Sequence, residues 1–391
     1  MRPLIALKTT LKPGSIALAL ALMLLTTICH AQHNVVYWNG DSTYLQTLAT
    51  SYYTDVIVNF VTPDQNCDLS WGGSTPNGGL PSDIGTSIQT LHNAGKNVLV
   101  SFGGSDVQSW QYASCAGNVQ NLVSQIAGIV AANDFNGADI DFEDTNAFLN
   151  SWDPYYSGYD GVQFLVQLTI GLYGQLPQGQ NIITHAPQSP YWYPVGDPKA
   201  EGFNWALSAG NGGPYTYIFL NTRVYTPTPV PMISWINNQF YENPVDDQDD
   251  ATKVSTYEDI SHITGPDRLL LGVIIDNSTE GYISSGWVWQ DVVQPLQTYS
   301  TTTFGLPFGG VMAWDYANDV NVWGYWWGVE AGEALGIPAP RAEKLVPGNS
   351  QAGPSAHAKP SAHAGPSKRH SRCGAGTKNE CPAGLLPGPR R

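Results

Sequence analysis

The chain has 391 residues, of which 42% are hydrophobic, and it carries 32 acidic and 17 basic side chains for a net charge of −15. This length suits one large domain with appendages. The acidic excess argues against nucleic acid and against anionic membrane surfaces as partners of the main body.

The first 31 residues are predicted to be a secretory signal peptide. Their start is basic, and the apolar run at 16–25 precedes small residues at Cys29 and Ala31. That run is too short to span a bilayer, and no later segment reaches about 18 consecutive apolar residues. We therefore expect a secreted, extracellular protein without a membrane span.

The body, residues 32–340, alternates β-prone and helical segments. In chain order, strands are predicted at 34–38, 55–60, 97–102, 136–143, 181–185, 269–274 and 309–314, and helices at 82–94, 119–132, 161–175 and 323–335. Short apolar strands separated by helices indicate a parallel sheet covered on both faces. Eight such units in about 300 residues favour an α/β fold, the (β/α)8 TIM barrel, with chemistry at the carboxyl ends of the strands.

Charge and cysteine placement separate the body from the tail. The body has 30 acidic and five basic residues, whereas residues 341–391 have two acidic and nine basic ones. This Pro/Ala/His-rich tail is too poor in large apolar residues to fold alone, and we expect it to be disordered. Its positive charge suits contact with a cell wall or another anionic surface. Two local disulfides are expected, Cys67 with Cys115 and Cys373 with Cys381.

An acidic segment in the middle of the body spells Asn-Gly-Ala-Asp-Ile-Asp-Phe-Glu. On a strand, Asp139, Asp141 and Glu143 share one face, and Ile140 and Phe142 lie on the other. Like charges this close cannot all ionise freely, so one carboxyl stays protonated and can act as a general acid. Cleavage of a glycosidic bond fits this chemistry, and a cation site or a solvated strand edge are the alternatives.

The same segment resembles the DGxDxDxE signature of glycoside hydrolase family 18, the chitinases and their relatives. The departure is Asn136, which stands where the family has Asp and which we expect to alter the electrostatics of the site rather than its catalysis. The sequence SFGG at 101–104 resembles the family's SxGG motif. This resemblance implies that Ser101 supports Asp139.

Further motifs, in the family's order, resemble those of hevamine-type class III chitinases. The sequence QFYEN at 239–243 is similar to that group's QFYNN segment on the sixth barrel strand. We therefore favour 237–241 over 217–221 as the sixth strand. An insertion is then expected at 195–232, with an extra strand at 215–221.

The resemblance implies a site without a metal or an organic cofactor. Glu143 would be the acid and base, Asp141 would orient the substrate's acetamido group, Asp139 would couple to Asp141, and Tyr241 would fix the acetamido carbonyl. Structural support would come from Ser101 and Gly103. The residues that would bind substrate are Trp314, Gln239, Asn243, Gln188, Tyr37, Phe60 and Gly104.

The sequence therefore predicts a monomeric, endo-acting chitinase that binds chitin or N-acetylglucosamine oligosaccharides and retains the anomeric configuration. Two alternatives remain at this stage. One is an endo-β-N-acetylglucosaminidase that acts on N-glycans, and the other is a non-catalytic chitin-binding lectin on the same barrel.

Overall fold

A computed structural model describes residues 32–39, 45–71, 84–207, 212–225, 227, 229–243, 250–275 and 292–340. The predicted signal peptide, the tail and the second cysteine pair, Cys373 and Cys381, lie outside the described residues. Within the described ranges, no helix is both long and apolar enough to cross a membrane.

Eight parallel strands close into a barrel, as predicted. These strands are β1 (His33–Trp38), β2 (Asp55–Pro63), β4 (Asn97–Gly103), β5 (Gly137–Asp141), β6 (Ile182–His185), β9 (Trp235–Gln239), β10 (Leu269–Ile274) and β11 (Gly310–Trp314). They run in the order β1-β11-β10-β9-β6-β5-β4-β2, and β1 pairs with both β11 and β2, which closes the ring.

Three short strands lie outside the barrel. β3 (Leu69–Trp71) extends the sheet antiparallel to β2 and was not predicted. β7 (Arg223–Val224) and β8 (Val230–Pro231) form an antiparallel hairpin before β9. Since it connects a helix to the start of a strand, this hairpin belongs to the amino-terminal end of the barrel.

Helices form the outer layer because each carries one apolar stripe. In α1 the buried side chains include Ile84, Ile88 and Leu91, at helical spacing. The helices are α1 (Ile84–Asn93), α2 (Ser109–Ala116), α3 (Val119–Asn133), α4 (Gly161–Gln175), α5 (Pro214–Asn221), α6 (Asp250–Thr264), α7 (Gln294–Tyr299), α8 (Tyr316–Asn321) and α9 (Trp326–Ala334).

The segment 215–221, predicted as an extra strand, is helical. Its aromatic and β-branched residues are typical of strands, but Pro214 fits the first helical turn, and Tyr215 and Ile218 are buried at helical spacing while Tyr217 is exposed. The helix, α5, occupies the place of a barrel helix between β6 and β9. The sixth barrel strand is accordingly β9, as favoured from the sequence.

The disulfide predicted between Cys67 and Cys115 is present, with a Cα–Cα distance of 4.9 Å. It joins the loop after β2 to helix α2. Both elements follow barrel strands at their carboxyl ends, so the bond fastens two connections at the end of the barrel where catalytic groups are expected.

The opposite, amino-terminal end of the barrel is filled by polar and aromatic side chains. The imidazole of His33 lies 2.8 Å from a carboxylate oxygen of Asp55 and stacks on Trp235 with ring centroids 4.1 Å apart. Asn97 Nδ2 also donates to Asp55, at 2.7 Å. This layer closes the bottom of the barrel and leaves its upper layers for the acidic residues.

Candidate active site

Strand β5 places two of the three predicted carboxylates inside the barrel. Asp139 and Asp141 are buried and point inward, whereas Ile140 and Phe142 are fully buried on the outer side against the helices. Glu143 lies two residues beyond the end of the strand and is half-buried at the rim. The alternation read from the sequence is confirmed for these five residues.

Asp139 is held by four side-chain donors from four different strands. The distances to its carboxylate oxygens are 2.8 Å from Tyr37 Oη, 2.8 Å from Ser101 Oγ, 2.5 Å from Thr184 Oγ1 and 3.2 Å from Asn237 Nδ2. Burial raises the pKa of Asp139, and the hydrogen bonds from these donors oppose the rise. The group is thus a fixed, desolvated carboxyl at the centre of the barrel.

Asp141 lies one layer above Asp139, towards the rim. Gln239 Nε2 donates to Asp141 Oδ1 at 3.0 Å and to the backbone oxygen of Ala186 at 3.0 Å, which fixes the amide. Asp141 also hydrogen-bonds Glu143. Burial, followed by the charge of Glu143, raises its pKa well above the ordinary value, so Asp141 holds a proton over a wide pH range.

Glu143 has a pKa of about 7, raised mainly by burial. The hydrogen bond from Asp141 lowers this pKa, and the negative charges of Glu242 and Asp106 raise it. Both of these residues are exposed, Glu242 just after β9 and Asp106 just after β4. A carboxyl that titrates near neutrality at the rim of a barrel is suited to general acid–base chemistry.

Tyr241 is buried beside the acidic residues. Burial raises the pKa of its hydroxyl, and the charges of Asp141 and Glu143 raise it further, so the group stays protonated and can donate a hydrogen bond. Asn243 Nδ2 donates to the backbone oxygen of Tyr241 at 3.2 Å. Asn243 thereby supports the turn that presents Tyr241, and its predicted role in substrate binding stays a prediction.

Three aromatic rings form one wall of the mouth. Phe60 and Trp314 stack at a centroid distance of 5.9 Å, and Tyr37 lies 5.6 Å from Trp314. Phe60 and Trp314 are half-buried, and both lie towards the carboxyl ends of their strands. The structure thus brings together three residues that the resemblance had assigned to substrate binding.

Gly103 and Gly104 allow a close approach between β4 and the residues beside it. A side chain at Gly103 would place its Cβ 2.0 Å from the backbone oxygen of Asp141, and one at Gly104 would meet the ring of Phe60 at 2.8 Å. Gly104 N donates to the backbone oxygen of Asp141 at 2.8 Å. The glycines therefore fix the height of Asp141 in the barrel.

Gln188 lies at the edge of the same site. It follows β6 and forms an isolated parallel bridge with Gln239, and it is half-buried.

Across the ranges that the structure describes, no group of three or more His, Cys, Asp or Glu side chains is arranged to hold a metal ion.

The sequence profile described as "Glycosyl hydrolases family 18" matches residues 33–193, which include β1 and the whole acidic segment. A family 18 chitinase from Pseudoalteromonas aurantia is 27% identical, with a TM-score of 0.63 over 77% of this chain and 98% of that one. The match over residues 33–193 and this neighbour support assignment of the chain to glycoside hydrolase family 18.

Other solved structures share the fold at lower identity. A fungal endo-β-N-acetylglucosaminidase is 17% identical with a TM-score of 0.54, over 78% of this chain and 98% of that one. A chitinase from Bacteroides thetaiotaomicron is 13% identical with a TM-score of 0.53, over 80% and 99%. A comparison with curated proteins gives no match. The family match and the neighbour from Pseudoalteromonas aurantia support a chitinase-like glycosidase.

The departure from the family signature at Asn136 lies outside the barrel interior. Asn136 Oδ1 accepts a hydrogen bond from Val98 N at 2.7 Å and lies 2.8 Å from His92 Nε2 of helix α1. Its side chain therefore connects β4 and α1 and does not join the inward line of carboxyls. The expected effect of Asn136 on the electrostatics of the site stays a prediction.

Several residues of the site were not predicted from the sequence. Thr184 and Asn237 complete the set of donors to Asp139, and Tyr112 Oη donates to the backbone oxygen of Asp141 at 3.3 Å. Glu242 was noted only as part of a motif. For Asn237 a signal existed, because a run of three amides, 237–239, is unusual in a strand buried on both faces.

Proposed function

We propose that the protein is a secreted, endo-acting chitinase that hydrolyses β-1,4 linkages between N-acetylglucosamine units with retention of configuration. The observation that carries this proposal is the inward line from Asp139 through Asp141 to Glu143, in which the outermost carboxyl titrates near pH 7. The proposed acid, Glu143, lies just beyond the carboxyl end of strand β5, and catalytic residues in this fold lie at the carboxyl ends of the strands.

Proton placement supports the roles of the two carboxyls. Burial raises the pKa of both, so below about pH 7 Glu143 holds the proton that a general acid requires. An acetamido N–H that faces Asp141 would favour the ionised form of Asp141, which is the form that accepts this hydrogen bond.

In the proposed first step, Glu143 gives its proton to the glycosidic oxygen while the bond from that oxygen to the anomeric carbon breaks. The substrate's own acetamido oxygen forms a bond to the anomeric carbon, which produces an oxazolinium ion. Asp141 accepts a hydrogen bond from the acetamido N–H and offsets the positive charge, and Tyr241 donates to the acetamido oxygen. This route needs no carboxylate nucleophile from a second strand.

In the second step Glu143 acts as a base. It removes a proton from water, whose oxygen attacks the anomeric carbon and breaks the bond to the acetamido oxygen. Two inversions at one carbon give net retention. The scheme uses no metal and no organic cofactor, and Asp139 contributes through its charge, which raises the pKa of Asp141.

Substrate binding is assigned to the rim. The faces of Trp314 and Phe60 can stack on the apolar faces of a pyranose ring, and Tyr37 packs behind them. Gln239, Gln188, Asn243 and the backbone at Gly104 would contribute polar contacts. A body with a large acidic excess suits a neutral polysaccharide better than an anionic one.

Secretion is part of the proposal. It is supported by the basic and apolar pattern of residues 1–31 and by the disulfide between Cys67 and Cys115, which is typical of oxidising compartments. We further propose that the protein acts as a monomer and that the basic tail, residues 341–391, contacts a cell wall or another anionic surface.

The test is incubation of the full chain with a soluble N-acetylglucosamine hexamer, followed by mass analysis of the products. Dimers and trimers are expected from the wild type and from Glu333→Gln, a control on the exposed end of helix α9. Glu143→Gln should give no products and should still bind the hexamer. A glucan without acetamido groups should stay uncut, because it lacks the internal nucleophile.

Other outcomes would change the assignment. A hexamer that binds to the wild type and stays intact would contradict the chitinase proposal. Release of a high-mannose glycan from a glycopeptide would then identify an endo-β-N-acetylglucosaminidase, and no cleavage of either substrate would identify a lectin.

A further inference from the structure

Two elements at the carboxyl-terminal end of the barrel leave large aromatic side chains in solvent. The segment 144–160, between β5 and α4, exposes 70% of Trp152 and 75% of Tyr155, and helix α2, which follows β4, exposes 56% of Trp110. Among the tryptophans that the structure describes, only Trp110 and Trp152 are exposed, and the others are buried or half-buried. We name Trp110, Trp152 and Tyr155 the mouth patch.

The segment that carries Trp152 and Tyr155 is anchored on both sides of them. On one side Asn150 Nδ2 donates to the backbone oxygens of Asn204 and Trp205, at 3.1 and 3.0 Å. Between the anchors, Tyr155 N donates to Asp153 Oδ1 at 3.0 Å and shapes a turn. The exposed rings are therefore presented by an ordered backbone, which reduces the entropy lost when a ligand binds.

On the other side the segment is tied back to its own beginning. Asp144, the residue after Glu143, accepts hydrogen bonds from Ser157 Oγ at 2.8 Å and Tyr159 Oη at 2.7 Å. Ser157 Oγ also lies 3.3 Å from Ser109 Oγ at the start of α2. Since Trp110 follows Ser109, all three rings of the mouth patch belong to elements that contact one another beside the catalytic acid.

The chemistry of the patch selects its ligand. Exposed aromatic faces stack on the C–H faces of sugar rings and need no charge on the ligand. An acidic body disfavours an anionic ligand, and the segment that carries two of the rings begins at Asp144, next to the proposed acid Glu143. We propose that the mouth patch binds a chain of β-1,4-linked N-acetylglucosamine outside the catalytic cleft and so holds the enzyme on insoluble chitin. This inference rests on the proposed function.

The test compares two variants of the full chain. Trp152→Ala/Tyr155→Ala removes two rings of the patch, and Tyr225→Ala removes a ring that is 80% exposed. Tyr225 follows β7 in the hairpin at the amino-terminal end of the barrel, so it serves as a matched control. All proteins keep the same tail, and its contribution to adhesion cancels in the comparison.

Two quantities are measured for each protein: depletion from solution by particulate chitin, and kcat/KM on the soluble hexamer. The double variant should bind particulate chitin at least about five-fold more weakly than wild type, which corresponds to about 1 kcal/mol for two stacking contacts. Its release of soluble sugar from chitin should fall in parallel. Its kcat/KM on the hexamer should stay within about two-fold of wild type, and Tyr225→Ala should match wild type in both assays.

Three results would overturn the inference. They are unchanged binding to chitin in the double variant, an equal loss of binding in Tyr225→Ala, and a loss of hexamer cleavage that parallels the loss of binding, since the rings would then line the cleft itself. The proposed activity and the patch can also fail separately. If the wild type leaves the hexamer intact while the double variant binds particulate chitin more weakly than wild type, the activity is refuted and the binding role of the patch is supported.

Discussion

Glu143 is expected to set the alkaline limit of activity, and Glu242 to move that limit. The pKa of Glu143 is about 7, through burial and, to a lesser extent, the negative charges of Glu242 and Asp106. A general acid must be protonated, so kcat/KM on the hexamer should fall about tenfold for each pH unit above about 7. The change Glu242→Gln removes one of the two charges while keeping the shape of the side chain.

The size of the effect follows from the exposure of Glu242 at the rim. An interaction between partly solvated charges is worth about 0.5 kcal/mol, and about 1.4 kcal/mol corresponds to one pKa unit. The pKa of Glu143 should therefore fall by about 0.4 unit in Glu242→Gln. At pH 8 this lowers kcat/KM about two-fold, whereas at pH 5 the variant should match the wild type.

The assay is a set of pH profiles of kcat/KM on the soluble hexamer, measured at constant ionic strength because salt screens the interaction. Glu333→Gln is the matched control, since it changes the net charge equally on the outer helix α9. Coincident profiles of the two variants would show that Glu242 does not act on Glu143. A wild-type limit near pH 4 to 5 would refute the raised pKa itself.

Two further predictions concern stability. Gly103→Ala should lower the free energy of unfolding by about 2–4 kcal/mol in urea titrations, because Gly103 has a φ of +119° and a Cβ would collide with the backbone of Asp141. Gly128→Ala in helix α3, where no atom lies within 4 Å of the new Cβ, should instead raise the free energy of unfolding by about 0.5–1 kcal/mol. A similar loss of stability in both variants would contradict this reasoning. Burial raises the pKa of Asp319 to about 6, so the native state binds a proton more tightly than the unfolded chain, and this contribution to stability is lost as pH rises from about 4 to about 7. Urea unfolding across that range should show stability falling with pH in the wild type and a shallower slope in Asp319→Asn; equal slopes would exclude Asp319 as a cause.

The fold could be predicted where one physical term dominated. Strand β10 was predicted at 269–274, the observed bounds, because both of its faces are apolar and Gly and Pro lie nearby. Helix α4 was likewise predicted at 161–175. The error at 215–221 arose where two terms competed, since aromatic and β-branched residues favour a strand while Pro214 and packing against the barrel favour a helix.

The candidate site could be predicted along one strand but not across strands. A period of two shows that Asp139 and Asp141 share a face. It does not show the register between β5 and the next strand, β6, and therefore not which residue lies level with each carboxylate. In the structure this register pairs Asp139 with Thr184. Asn237 reaches Asp139 from a strand that is not paired with β5, so only the closure of the barrel brings the two together.

The hydrogen bonds to Asp139 also have a consequence for the order in which the protein is made. Its donors come from β1, β4, β6 and β9, so the acidic strand leaves the ribosome well before the residue that completes its set of partners, Asn237. A buried carboxylate that lacks donors is unfavourable, so we expect Asp139 to stay solvated at least until β9 arrives, and the ring closes only when β11 pairs with β1. The hydrolytic machinery would then be assembled only late in synthesis, which delays its activity in the cell that produces it.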